Sequence, residues 1–99
     1  MKIWLDDIRP APNGWIHIKT AEKCIEMIQS GNVKEISFDY DLGETLTGYD
    51  VAKYIEENAN KIPPIIWELH TSNVIGMKNM YFVLTHADKI WLTKQNNPV

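Results

Sequence analysis

The sequence predicts an α/β domain, a three-layer sandwich built on a mostly parallel sheet of four or five strands with helices on both faces. Short apolar runs recur at residues 2–5, 15–19, 35–38 and 65–69. Stretches with helical spacing separate the later runs, and strands alternating with helices imply a parallel sheet covered on both sides. Two of the runs, Ile3-Trp4-Leu5-Asp6-Asp7 and Ile36-Ser37-Phe38-Asp39, end abruptly in carboxylates. Open α/β sheets place their ligands at such strand ends.

The first run, KIWL, is apolar on both faces, as an interior parallel strand is. Pro10, Pro12, Asn13 and Gly14 then punctuate the chain too densely for a long helix. The segment WIHIK alternates and reads as a second strand, so the connection between the first two strands is an extended loop. Thr20 is placed to cap a helix whose apolar face is Ala21, Cys24, Ile25 and Ile28, with Gly31 ending it. The third strand covers residues 35–38. Thr47 and Asp50 have capping-box spacing, and Val51, Ala52, Ile55 and Ala59 give the next helix its apolar face. Pro63-Pro64 precedes a fourth strand, IIWEL. Helical spacing returns from Asn73 to about Asp88, with Met77, Met80, Tyr81 and Leu84 on one side. The run Ile90-Trp91-Leu92-Thr93 is the candidate fifth strand, and residues 95–99 read as a tail.

A chain of 99 residues makes a single domain spanning 1–99. Hydrophobic residues at 44% and charged residues at 23% exclude a disordered chain. A net charge of −3 provides no basic footprint for duplex DNA, so a nucleotide or RNA end would have to be held locally. One cysteine, Cys24, excludes an internal disulfide and fits a reducing compartment. Met1-Lys2 leads straight into a strand, and no apolar run approaches the ~20 residues that span a bilayer. A cytoplasmic location without membrane contact is expected; the oligomeric state is not encoded legibly.

Asp6, Asp7, Asp39 and Asp41 dominate the chemistry. Four carboxylates at one sheet edge repel unless a cation sits among them. Mg²⁺, or another divalent cation, is the expected cofactor, because a hard cation takes carboxylate, water and phosphate oxygens. Arg9 has the donor fork that suits a phosphate. His70 follows the fourth strand on the same edge and is a candidate general acid or base. Thr71 and Ser72 offer hydroxyls, and Asn73 either orients a phosphate or caps the next helix, whose N-terminus attracts anions. His17 and His86 lack such surroundings. Trp15 is the freest candidate for stacking on a base, whereas Trp4 and Trp67 are expected in the core. Zinc spacings, a Walker loop, GxGxxG and GxSxG are all absent.

These motifs resemble the receiver domain of two-component signalling. Its acidic pair matches Asp6-Asp7, its phospho-accepting aspartate matches Asp39, and the Ser or Thr ending its fourth strand matches Thr71. Gly48 to Val51 resembles the segment after the aspartate loop. The first receiver helix is missing, and Lys94 is the loose counterpart of the receiver lysine. A narrower group is closer still, the cyclic-phosphate-processing receiver-like domains. Their hallmarks read here as Leu5-Asp6-Asp7-Ile8-Arg9-Pro10, as Asp39-Tyr40-Asp41-Leu42-Gly43, and as His70, Asn73, Gly76, Asn79 and Met80 at matching spacing. The resemblance spans about residues 2–84; Tyr40 stands where the group often has histidine. It implies a receiver-like, flavodoxin-like fold and a metal-assisted phosphoesterase that opens cyclic phosphates on nucleotides or RNA ends. The roles implied are Asp6, Asp7, Asp39 and Asp41 on metal, Arg9 on phosphate and His70 in proton transfer, with Asp39 as nucleophile in one variant. Passive binding of a cyclic nucleotide and phospho-acceptor signalling are the alternatives.

Overall fold

The computed structural model describes residues 1–95. Four strands, β1 (Lys2–Leu5), β2 (Ile16–Ile18), β3 (Glu35–Phe38) and β4 (Ile66–Leu69), alternate with three helices, α1 (Ala21–Gln29), α2 (Gly48–Asn58) and α3 (Val74–Gln95). The sheet is parallel throughout, in the order β2-β1-β3-β4. Its two central strands are therefore the two that end in aspartates. The connection from β1 to β2 contains no helix, and residues 6–15 cross as a loop tightened by the Trp15 N–H donating to the Pro12 carbonyl at 3.1 Å.

The expected caps form. The Thr20 hydroxyl accepts the Lys23 N–H at 3.2 Å, and Thr47 and Asp50 close a capping box at the start of α2. Gly31 adopts φ +82° just past the end of α1, a conformation that favours glycine.

The register puts Ile3, Leu5, Ile18, Ile36, Phe38 and Leu69 on one sheet face and Trp4, His17, Ser37 and Glu68 on the other. The first face builds the core with Cys24 and Ile28 of α1, Val51 and Ile55 of α2, and Met80, Leu84 and Trp91 of α3. The layering thus departs from expectation: the helices share one face, and no helix covers the other among the described residues. The cause is topological. The crossovers β2-α1-β3 and β3-α2-β4 advance in the same direction across the sheet, and right-handed crossovers of that kind place their helices on one side. α3 then packs along α2.

Three further expectations are corrected. Residues 90–93 are not a fifth strand but the last turns of α3. Met80, Leu84, Ala87 and Trp91 recur at helical spacing and are all buried, and the Trp91 indole donates to the Ala59 carbonyl at 2.8 Å. Met77 and Tyr81 lie outside that buried stripe. Of the expected tail at 95–99, Gln95 closes α3 and the remainder lies outside the described residues. No described helix is long and apolar enough to cross a membrane.

Candidate functional site

The ladder itself aligns the site. Just past the strand ends, the Asp6 N–H donates to Ile18 O at 3.1 Å, Asp39 N–H to Leu5 O at 2.8 Å and His70 N–H to Phe38 O at 2.9 Å. Three site residues therefore stand level along one sheet edge, about 5 Å apart from strand to strand. Asp6, Asp7 and Asp39 bring ligand oxygens within 4.8 Å of one another. Asp41 is not in that cluster; it is exposed and meets the Asn73 side-chain amide at 3.5 Å. The chain has turned away by then, because the Tyr40 carbonyl accepts the Gly48 N–H at 2.8 Å.

Asp6 is 1% exposed, and both of its oxygens have partners. Its Oδ1 accepts the N–H groups of Ile8 and Arg9, both at 2.9 Å. Its Oδ2 meets His70 Nε2 at 3.0 Å and the Arg9 Nε at 3.8 Å. Burial alone would raise its pKa, but those backbone donors and His70 together hold it below the usual carboxylate value. The Asp39 Oδ1 accepts its neighbour's Tyr40 N–H at 2.8 Å. No lysine or arginine among the described residues pairs with Asp7 or Asp39.

Glycines let the surrounding backbone approach. Gly43, at φ +69°, lies so close to Asp7 that a Cβ would sit 2.8 Å from its Oδ2. At Gly76 a Cβ would run into the Tyr40 ring. Tyr40 therefore packs flush on the first turn of α3.

Arg9 bridges two loops. Its Nη1 donates to the His70 carbonyl at 2.9 Å, while half of its side chain stays exposed. His70 is held at both ring nitrogens and on one ring face. Its Nδ1 meets Ser37 Oγ at 2.7 Å, its Nε2 meets Asp6, and its ring stacks on Trp4 at 3.8 Å and 3°. Thr71 is buried, with its hydroxyl accepting the Asn73 N–H at 3.2 Å. Asn73 caps α3, its side-chain oxygen accepting the Gly76 N–H at 2.8 Å. Ser72 is exposed on that loop.

Three contributors to the site carry no motif in the sequence. Trp4 is not a core residue but the stacking partner of His70 on the open sheet face, and its indole donates to the Arg9 carbonyl at 3.1 Å. His17 donates from Nε2 to the Asp6 carbonyl at 2.7 Å. Ser37 is fully buried beneath His70. Strand parity carried the signal, since Trp4 and Ser37 each lie two residues before a site aspartate and so share its side. Trp15 meets Trp4 edge-on at 6.2 Å, with the Lys2 ammonium over its ring at 4.5 Å.

Residues 1–86 match the family described as Cyclic-phosphate processing Receiver domain, and the chain belongs to that family. No curated protein and no solved structure matches it.

Proposed function

We propose that the chain is a divalent-metal-dependent phosphoesterase that opens a cyclic phosphate on a nucleotide or an RNA end. One observation carries the reading: three carboxylates converge within 4.8 Å, two of them without a lysine or arginine partner among the described residues, in a chain of this family. An all-oxygen, mostly buried donor set of this kind fits a hard cation such as Mg²⁺. Asp6, Asp7 and Asp39 would hold it, with Asp41 at the rim. Bound there, the ion would offset phosphate charge and polarise the phosphoryl oxygens.

The chain's own residues supply the rest. Arg9 keeps guanidinium N–H groups free of its two contacts, and these can take a phosphate oxygen. Asn73 fixes the first turn of α3, whose positive end lies on the same edge and favours an anion. In the reaction water adds to phosphorus, one ring P–O bond breaks, and the released alkoxide takes a proton. The product is a phosphomonoester. Thr71 and Ser72 shape the loop that carries His70 and Asn73.

A second reading has its own support. Both nitrogens of His70 are occupied within the chain, which favours a module that binds a cyclic nucleotide without turnover. Phospho-acceptor signalling is the least favoured. Lys94, the counterpart of the receiver lysine, donates to the Asn60 carbonyl from the C-terminal end of α3.

The test is phosphorus NMR of the protein with Mg²⁺ and 2′,3′- and 3′,5′-cyclic nucleotides, beside Asp39→Asn. A monoester signal absent from the variant is expected. Broadened ligand resonances without product would establish the binding module instead.

A further inference from the structure

Ser37 lies in the middle of a central strand, is 0% exposed, and is the one polar side chain in the buried run Ile36-Ser37-Phe38. Core packing alone does not call for a hydroxyl there. A small residue does have a geometric consequence. His70 follows β4, whereas Asp6 follows β1, and β3 runs between them. The imidazole reaches Asp6 by lying across the position of Ser37, against Trp4.

The donors and acceptors of this chain can be assigned. The Asp6 carboxylate already accepts two backbone N–H groups, and an ionised carboxylate only accepts. The 3.0 Å contact from His70 Nε2 is therefore made by an N–H. In the neutral ring Nδ1 is then an acceptor, and the Ser37 hydroxyl, 2.7 Å away, is its donor.

We propose that Ser37 is a positioning residue of the site. Its hydroxyl fixes His70 as the Nε2–H tautomer, and His70 in turn anchors the Asp6 carboxylate through Oδ2, holding it in place in the carboxylate cluster. The chain Ser37–His70–Asp6 is thus an outer support for a cation ligand, with Trp4 locking the plane of the ring. The inference rests on the cation reading of the cluster. It gives His70 an orienting role rather than the proton transfer expected from its place in the sequence. Metal-bound carboxylates and imidazoles are generally held by such outer hydrogen bonds, and losing one typically weakens affinity about 10- to 100-fold.

The experiment uses the full chain labelled with ¹⁵N, metal-free, and two-bond proton–nitrogen correlation of the histidine rings. In the wild type, His70 should show a bare Nδ1 and a protonated Nε2. In Ser37→Ala that pattern should collapse toward a mixture of tautomers, and the Mn²⁺ dissociation constant by calorimetry should rise about 10-fold or more. Ser37→Cys, which keeps a weak donor at nearly the same volume, should fall between the two. Its amide spectrum reports whether the fold is retained if the alanine variant does not fold. A wild-type His70 with a proton on Nδ1 would overturn the proposal, as would a folded Ser37 variant with unchanged tautomer and Mn²⁺ affinity. If the wild type binds no Mn²⁺, the metal-dependent reading fails, while the ring spectrum still decides whether Ser37 sets the tautomer.

Discussion

Replacing Asp39 with asparagine should make the metal-free protein more stable and remove most of its response to Mg²⁺. Asp39 is 9% exposed, and its ligand oxygen lies within 4.8 Å of those of Asp6 and Asp7. At that separation two like charges repel by about 1 kcal/mol in bulk water and by roughly 3 kcal/mol at an effective dielectric of 20. Asp39 takes part in two such pairs, and asparagine keeps the oxygen that accepts the Tyr40 N–H. The net relief is on the order of 2 kcal/mol. For a domain of this size that raises the melting temperature by about 8–16 °C at low ionic strength, and salt should shrink the difference. Mg²⁺ at 100 times its dissociation constant stabilises a one-site protein by about 2.7 kcal/mol, so the wild type should rise to meet the variant. Differential scanning calorimetry in EDTA and in Mg²⁺ gives all four temperatures. Equal melting in EDTA, or an equal Mg²⁺ shift in both proteins, would refute the electrostatic account of the cluster.

Other consequences follow from the same geometry. Gly76→Ala forces a Cβ into the Tyr40 ring and should cost about 1–3 kcal/mol in urea denaturation; Tyr40→Ala in the same chain should recover much of that loss. The folded-state pKa of Asp6 lies below its ordinary 3.8, so its contribution to stability is complete above that value and is lost as the pH falls through the lower folded value. Asp6→Asn should therefore flatten the acid limb of the stability profile measured by urea unfolding. Burial raises the Cys24 thiol to about 12, so Ellman's reagent should leave the native protein untouched at pH 8 and titrate one thiol once it is unfolded.

What was legible in the sequence follows a physical divide. Local chemistry was readable: the caps at Thr20 and Thr47, the stop at Gly31, and the strands at 2–5 and 35–38. So were the three aspartates that converge, because strand ends in register must lie together. Residues 90–93 misled because a β-branched residue beside tryptophan suits a strand. Only the longer spacing through Met80, Leu84 and Ala87 places Trp91 on a helix. The bare sheet face was illegible for a different reason, since layering depends on the direction in which crossovers advance and not on any local pattern. His17 and Ser37 were missed because each looks unremarkable until the register brings it beside Asp6 or His70.

The missing first helix is better described as a helix begun and then stopped. Asp6 accepts the N–H groups two and three residues ahead, which are the bonds of a helix N-cap. The chain past Arg9 cannot continue that turn, because Pro10 disfavours helical geometry at the residue before it and Pro12 follows at once. The cap bonds thus survive without the helix, and they hold a buried carboxylate ionised at the edge of the cluster. The arrested loop then turns back over the open face. There the Arg9 carbonyl accepts the Trp4 indole N–H, and the Arg9 guanidinium donates to the His70 carbonyl. Trp4, Trp15 and His70 cover the part of the face nearest the site, while Ile66 in β4 stays 68% exposed. Leu5-Asp6-Asp7-Ile8-Arg9-Pro10 is on this account one device: it caps, stops and folds back. Replacing Pro10 with alanine should lengthen the turn, draw Arg9 away from His70, and weaken cation binding more than it weakens the fold. Calorimetric Mn²⁺ titration beside thermal melting measures both, and a variant that loses stability while keeping its affinity would sink the idea.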